Sequence, residues 1–109
     1  MSTDTDRIRA LNDGLRQDLR GGRAVMTPGV AALGQEAVQR LVRAIALFDD
    51  FGTANDPHGE HDFGAFEFDG VEVFFKIDYF DEDLNCQSPD PADPAVTERV
   101  ITLMLASEY

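Results

Sequence analysis

The chain has 109 residues, a net charge of −12 and one cysteine, Cys86. A chain of this length suits one domain, residues 1–109, that buries a single core without disulfide bonds. The lone cysteine excludes an intrachain disulfide, and no apolar run approaches the roughly 20 residues of a membrane-spanning helix. Because the N-terminus also lacks the basic-then-apolar pattern of a secretory signal, we expect a cytoplasmic protein.

The acidic residues are concentrated in the second half of the chain. Residues 1–54 hold seven acidic side chains and seven arginines, whereas residues 55–109 hold fourteen acidic side chains against Lys76 and Arg99. Such a field repels nucleic acid and anionic membranes, so we expect neither to bind directly. It favours a basic protein surface or a cation as partner. The alternative is a solvated acidic surface that only keeps the protein in solution.

The first elements along the chain are a helix and a short strand. Apolar residues recur at three- and four-residue steps from Ile8 to Leu19, which predicts a helix from about Thr5 to Leu19. Gly21-Gly22 ends this helix, because glycine suits the left-handed position after a C-terminus. The segment 23–27 is short and predicts a strand.

Two further helical segments follow. Thr27-Pro28 places an N-cap before a proline and predicts a single helical turn through Ala32. The stretch Gln35–Phe51 is the longest predicted helix, because its apolar residues form a wide stripe and its charged residues lie outside that stripe. The stripe consists of Val38, Leu41, Val42, Ile45 and Phe48.

A β-hairpin is predicted around Asp69-Gly70. This dipeptide separates two aromatic-rich segments, and a type I′ turn needs the positive φ that Asp and Gly tolerate. The two-residue loop pairs Phe68 with Val71, and counting outward brings His61 opposite Asp78. One face is then apolar, with Phe66, Phe68, Val71, Val73, Phe75 and Ile77, and the other carries Phe63, Phe74 and Lys76.

The C-terminal part is predicted as an acidic loop and a last helix. Residues 81–93 are acidic and interrupted by prolines, which is typical of a loop. Asp93-Pro94 repeats the cap-then-proline pattern and predicts a helix through about Ser107, although the run from Val100 to Leu105 also favours a strand. The order α-β-α-β-β-α predicts an α+β fold: a small antiparallel sheet, made of the hairpin and one short strand, with three helices on its apolar face.

Three hypotheses arise for the histidines at the start of the hairpin. As a catalytic pair, Asp78 orients His61 for acid–base work, and Lys76 lies on the same face. No activated nucleophile accompanies the pair, since Cys86 lies among carboxylates that disfavour a thiolate. In the structural alternative, His61 and Asp78 only form a hydrogen bond with each other at the sheet edge and have no chemical role. As a metal site, His58 and His61 supply suitable ligand types, but their spacing matches no metal motif, so we expect no metal and no cofactor.

Three pieces of sequence resemble a family of small uncharacterised bacterial proteins. They are Asn-Asp-Pro-His-Gly-Glu-His-Asp-Phe-Gly at 55–64, Phe-Lys-Ile-Asp-Tyr-Phe-Asp at 75–81 and Ser-Pro-Asp-Pro-Ala-Asp-Pro at 88–94. Members of that family occur mostly in alphaproteobacteria and often on plasmids. The resemblance implies a bacterial cytoplasm and a setting on mobile DNA, but no activity and no catalytic residues.

Charge and setting together favour a binding protein over an enzyme. We expect a small acidic protein-binding module, an inhibitor of a nucleic-acid-binding host defence complex of the anti-CRISPR or anti-restriction type, whose carboxylates replace phosphates on the partner. The alternative is a small enzyme or metal-binding protein that uses His58, His61 and Asp78. The predicted partner-binding residues are Asp62, Asp78, Asp81, Glu82, Asp83 and Asp90.

Overall fold

The computed structural model of the protein describes residues 3–52 and 56–109. Asn55, the first residue of the 55–64 motif, lies outside the described residues. The helices are α1 (Asp4–Asp18), α2 (Pro28–Ala31) and α3 (Gln35–Leu47), and the strands are β1 (Gly22–Met26), β2 (Phe63–Phe68), β3 (Val71–Phe80) and β4 (Glu98–Leu105). A 3-10 turn, Ala106–Glu108, follows β4. The strands form one sheet in the order β1-β4-β3-β2.

The predicted hairpin and its register are confirmed from the turn outward to Phe63. Asp69 and Gly70 have φ values of 51° and 81°, as a type I′ turn requires. The pairs run from Phe68 with Val71 to Phe63 with Lys76. The turn geometry therefore determines which face is apolar, and Val73, Phe75 and Ile77 are buried on it.

The predicted C-terminal helix is wrong, because this segment forms the strand β4. It pairs in parallel with β1 and antiparallel with β3, so it is a central strand of the sheet. Ile101 and Leu103 are buried on the helix side of the sheet, and Met104 is buried on the other side. A central strand buries more apolar side chains than an edge strand, which accounts for the apolar run from Val100 to Leu105. The cap signature instead forms a local turn, in which the Asp93 carboxylate accepts a hydrogen bond from the Ala95 N–H.

The fold class is α+β, as predicted, but the sheet differs in detail. It has four strands and mixed directions, where the sequence predicted an antiparallel sheet with a hairpin and one short strand. The short strand, β1, is present at Gly22–Met26. None of the helices in the described ranges is long and apolar enough to cross a membrane.

Two helix ends differ from prediction for local reasons. The C-cap of α1 is Leu19, with φ 56°, and not one of the glycines that follow. The helix α3 ends at Leu47, because the backbone becomes extended at Phe48 (ψ 131°). This change points the Phe48 ring towards Phe75, with ring centroids 5.3 Å apart.

The core lies between the helices and one face of the sheet. Glycine at position 64 is required there, because a Cβ at that position would lie 2.2 Å from the Phe75 ring. Within the described ranges, this core has no residue of the opposite face, where Tyr109 packs against Phe63 and Phe74. The buried core consists of Leu15, Val30, Leu41, Ile45, Val73, Phe75, Ile77, Ile101 and Leu103.

Candidate functional site

Two hollows that share lining residues form a groove at the open end of the hairpin, opposite the Asp69-Gly70 turn. The larger hollow has a volume of 410 Å³ and the smaller one 220 Å³. Asp62, Ile77 and Asp78 line both, so we call the pair of hollows the acidic groove. The larger hollow is also lined by Pro57, His58, Phe63, Lys76 and Tyr109, and the smaller one by Tyr79, Phe80, Gln87, Ser88 and Pro91.

Asp62 lies directly before β2, at the junction of the two hollows. Its backbone carbonyl accepts a hydrogen bond from the Ile77 N–H at 2.8 Å, which continues the hairpin pairing by one residue. Burial raises the pKa of the Asp62 carboxyl, and the negative charges of Glu60 and Asp56 raise it further. No cationic side chain in the described ranges forms an ion pair with Asp62. The groove therefore contains a partly buried carboxyl group whose raised pKa is only partly offset by the charge of His58.

Asp78 and Lys76 lie on the open face of β3, beside Asp62. The Lys76 Nζ is 3.4 Å from an Asp78 carboxylate oxygen, and both side chains are about two-fifths exposed. The predicted proximity of Lys76 and Asp78 is thus confirmed, and it has the form of a surface ion pair. Such pairs contribute little to stability because water screens them, so either partner is available for other contacts.

The predicted contact between His61 and Asp78 is not formed. His61 has φ 56°, so the chain leaves the extended conformation one residue before Asp62 and the ring turns beneath α1. There the Nδ1 atom lies 2.8 Å from a carboxylate oxygen of Asp13, and the ring stacks on Phe51 with centroids 3.8 Å apart. The His61 backbone N–H donates a hydrogen bond to an Asp56 carboxylate oxygen at 3.0 Å, which joins the two ends of the loop 56–61. The predicted pairing of His61 with Asp78, on which the catalytic and the structural hypotheses both depended, is therefore wrong, because the left-handed residue changes the partner.

The two histidines face different parts of the molecule. His58 is exposed and lines the larger hollow, whereas His61 is half-buried against Asp13 and Phe51. The ranges 3–52 and 56–109 contain no group of three or more His, Cys, Asp or Glu side chains placed to hold a metal ion.

A buried polar cluster lies behind the smaller hollow and links four parts of the chain. Arg99, on β4, is only 1% exposed, and its Nε donates to the Asn12 side-chain oxygen at 2.9 Å. Asn12 Nδ2 donates to the Tyr79 hydroxyl at 2.8 Å and to the Glu60 backbone carbonyl at 2.9 Å. The Tyr79 hydroxyl in turn donates to the Glu60 carboxylate at 2.9 Å.

This buried polar cluster fixes one wall of the acidic groove. The Arg99 guanidinium donates to the Pro91 carbonyl and lies over the Tyr79 ring, 5.1 Å from its centroid. Pro91 and Tyr79 both line the smaller hollow. Burial raises the pKa of the Tyr79 hydroxyl, so Tyr79 stays a neutral hydrogen-bond donor. Burial also lowers the pKa of Arg99. The groove is thus supported by a network with defined donors and acceptors.

The sequence analysis missed most of this support. Arg99 was placed on a helix that does not exist, and Tyr79, Glu60 and Asn12 were not singled out. One signal was available: Asn12 falls between Ile8 and Leu15 on the apolar stripe of the first helix. A polar amide on a buried stripe needs partners, which indicates a buried polar contact.

The six predicted partner-binding residues fall into two groups and one separate residue. Asp62 and Asp78 lie in the acidic groove, whereas Asp81, Glu82 and Asp83 line a separate 250 Å³ hollow with Pro89 and Val96. The Asp81 carboxylate accepts from the Asn85 N–H at 3.0 Å. Asp90 uses its carboxylate in a local turn, where it accepts from the Ala92 N–H at 3.1 Å.

A family model, described as a protein of unknown function (DUF3768), matches residues 26–108. The match contains α2, α3, β2, β3 and β4, together with every residue that lines the acidic groove except Tyr109. Asn12 and Asp13, which complete the polar contacts beneath α1, precede it. No curated protein and no solved structure matches the chain at a significant level.

Proposed function

The chain belongs to the DUF3768 family of proteins of unknown function, and we propose that it is a small acidic protein-binding module. The acidic groove takes a cationic side chain from the surface of a basic partner protein. The rest of the acidic half of the chain provides the long-range attraction. Binding of this kind is fast and is weakened by salt, because screening reduces attraction between exposed charges.

The observation that carries this proposal is the position of Asp62, whose carboxyl group is partly buried in the acidic groove. Its pKa is raised by burial and by two neighbouring carboxylates, so ionisation costs more in the free protein than it does in water. A cation placed beside it removes that unfavourable interaction. Because an opposite charge within about 4–6 Å favours ionisation, binding and ionisation of Asp62 support each other.

The lining of the groove favours arginine over lysine as the bound side chain. Phe63 and Tyr109 are both at the larger hollow, and their rings meet edge to face with centroids 6.4 Å apart. A guanidinium is planar, stacks on aromatic rings and forms two parallel hydrogen bonds to a carboxylate, whereas an ammonium group is a strongly hydrated point charge. We therefore expect a groove that combines aromatic rings with Asp62 and Asp78 to prefer arginine.

A surface rich in arginine is also the type of surface that binds nucleic acid. The proposed partner is therefore a nucleic-acid-binding protein, and the acidic module inhibits it by occupying the groove that phosphates would occupy. The resemblance of the 55–64 motif to plasmid-borne proteins supports a host defence complex as that partner. Asp81, Glu82 and Asp83 extend the acidic surface beyond the groove.

The groove is tested by titrating the protein with arginine-rich and lysine-rich peptides of equal length and charge in a calorimeter. We expect the arginine peptide to bind more tightly. The double variant Asp62→Asn and Asp78→Asn should bind it about tenfold more weakly, which corresponds to the loss of about 1.4 kcal/mol. The control is Glu67→Gln with Glu72→Gln, which removes two charges from the opposite end of the same hairpin.

If the groove variant and the control variant weaken binding equally, only net charge matters and the groove is not the site. The inhibitor role has its own test, in which the captured host partner is challenged with duplex DNA. We expect that the partner cannot bind the module and the DNA at the same time. Reversing Asp81, Glu82 and Asp83 to lysine should weaken the complex without unfolding the protein. A partner that holds both ligands at once would contradict mimicry.

A further inference from the structure

The strand β1 has an outer edge to which no other strand in the described ranges is bound. It is the first strand in the order β1-β4-β3-β2, and all five of its residues are exposed. Natural sheets protect such edges with proline, lysine, bulges or a covering segment, because free backbone groups recruit another strand. The segment Gly22–Met26 contains no proline, lysine or bulge, and its one charged side chain, Arg23, is paired with Glu98 of the neighbouring strand. The edge is therefore open to strand pairing.

An apolar cleft lies beside this edge. It has a volume of 80 Å³ and is lined by side chains of α1, α3 and the sheet, nearly all of them apolar. Leu19, Val25 and Met26 line it and are 52%, 46% and 49% exposed. Apolar side chains grouped around a free edge indicate an interaction surface and not a solvated one.

We propose that the occupant of this surface is a second copy of the same chain, joined through antiparallel pairing of β1 with β1 about Ala24. The result is a two-fold symmetric dimer with a continuous eight-stranded sheet. The inference is independent of the proposed function, since it uses the other end of the sheet. Three features of β1 fit a copy of itself.

The first feature is the direction of the backbone groups. Thr27 donates its N–H to the Leu103 carbonyl at 3.0 Å, so alternate residues of β1 point their backbone groups at β4. The remaining residues, Gly22, Ala24 and Met26, then point their backbone N–H and C=O groups outward. Two copies related by symmetry at Ala24 exchange a pair of hydrogen bonds there. Gly22 and Met26 form the next hydrogen-bonded pairs on either side.

The second feature is the match of side-chain sizes. Gly22 lies on the helix side of the sheet, because a Cβ added to it would meet Leu15. Pairing about Ala24 places Met26 of the other copy directly opposite Gly22. Because Gly22 has no side chain, the methionine side chain has room at this position. Exposed Leu19 lies at that end of the cleft, so the flexible methionine has an apolar neighbour to pack against.

The third feature is charge. A second copy also carries a net charge of −12, so it approaches only where the surface is locally neutral. The strand β1 has one charged residue, Arg23, which is paired with Glu98 at 3.2 Å. The other edge strand, β2, has Glu67 opposite Glu72, and these carboxylates repel a copy of themselves. The neutral edge is therefore the one that tolerates self-association.

The test is the oligomeric state of the full chain, measured by sedimentation velocity over a range of protein concentrations. We expect a reversible dimer whose association is kept or strengthened at high salt, because salt screens the repulsion between copies. The proposed groove binding has the opposite salt dependence. A chain that stays monomeric at every concentration and salt tested would overturn the inference, and it would leave the groove proposal intact.

Ala24→Pro tests the backbone contact. Proline removes the outward N–H of Ala24 and no hydrogen bond to β4, so the fold is kept while two bonds across the dimer are lost. We expect about tenfold weaker association, because both hydrogen bonds at the symmetry centre are lost. Ala65→Pro is the matched control, since it removes an outward N–H on the edge strand β2. Equal dimerisation of the two variants would contradict pairing through β1.

A pair of charge variants tests the register and does not depend on proline. In the proposed dimer, Val25 lies opposite Arg23 of the other copy. Val25→Lys therefore opposes two positive charges and should weaken the dimer, whereas Val25→Glu should strengthen it. Net charge alone predicts the reverse order, because glutamate adds to the overall negative charge. If the lysine variant associates more tightly than the glutamate variant, the pairing about Ala24 is wrong.

Discussion

His61 and Asp13 are 48 positions apart in the chain, and their side chains meet at 2.8 Å beneath α1. The contact exists because His61 adopts a left-handed backbone conformation that turns its ring away from Asp78. It ties the loop before β2 to the first helix. Asp13 also bonds Arg16 at 3.0 Å, and Arg16 donates to the Phe48 carbonyl at 2.9 Å just after α3. One loop residue thus connects both long helices to the hairpin.

The left-handed conformation of His61 predicts a difference between two substitutions. His61→Val and His61→Asn both remove the imidazole and its contact with Asp13. Asparagine tolerates positive φ, whereas a β-branched residue is strongly disfavoured there. We expect the valine variant to be less stable than the asparagine variant by about 1–2 kcal/mol in urea denaturation. Equal stabilities would mean that the loop rearranges and that the conformation at position 61 is not required.

The buried polar cluster predicts energetic coupling between Asn12 and Tyr79. Asn12→Ala leaves the Arg99 Nε without its acceptor and should lower the free energy of unfolding by about 2–4 kcal/mol. Tyr79→Phe removes one hydroxyl and should cost about 1–2 kcal/mol. Because Asn12 donates to that hydroxyl, the double variant should cost less than the sum. Strict additivity in chemical denaturation would show that the two side chains do not share a hydrogen bond.

Two glycines predict opposite effects of added methyl groups. At Gly64 a Cβ would lie 2.2 Å from the buried Phe75 ring, so Gly64→Ala should destabilise the protein by about 1–3 kcal/mol. At Gly14, inside α1, a Cβ would meet nothing within 4 Å. Gly14→Ala should therefore stabilise the helix by up to about 1 kcal/mol. Thermal melts of the two variants give the comparison. An unchanged melting temperature for Gly64→Ala would mean that β2 does not pack this closely on β3.

The raised pKa of Asp62 predicts how stability depends on pH. The folded protein holds this proton more tightly than the unfolded chain, whose carboxyl has the usual value of 3.8. Stability therefore falls as pH rises from that value through the pKa of the folded state, and the loss is complete above it. Asp62→Asn removes the charge, so it should raise the melting temperature by a few degrees at neutral pH and have no such effect in acid. A lower melting temperature at neutral pH would show that the carboxylate is already neutralised.

The hairpin could be predicted from the sequence because its information is local. Two residues with positive φ determine the turn, and the turn then determines every pair out to Phe63 and the apolar face that follows. The first helix and the short strand at Gly22–Met26 were found for the same reason, since caps and periodicity act over a few residues. The charge imbalance also follows from the sequence alone, and it supplies the class of partner that we propose.

Tertiary structure decided the features that depend on distant residues. The segment Glu98–Leu105 follows a helix-start signature, yet it is a strand, because it pairs with both β1 and β3 and fills the gap between them. His61 and Asp78 alternate correctly for a contact, yet the sequence does not reveal that the strand starts only at Phe63. Arg99 and Asn12 are 87 positions apart in the chain and meet only when the tertiary structure brings β4 and α1 together. Local signals determined the hairpin, α1 and β1, whereas burial and long-range hydrogen bonds determined β4 and the support of the groove.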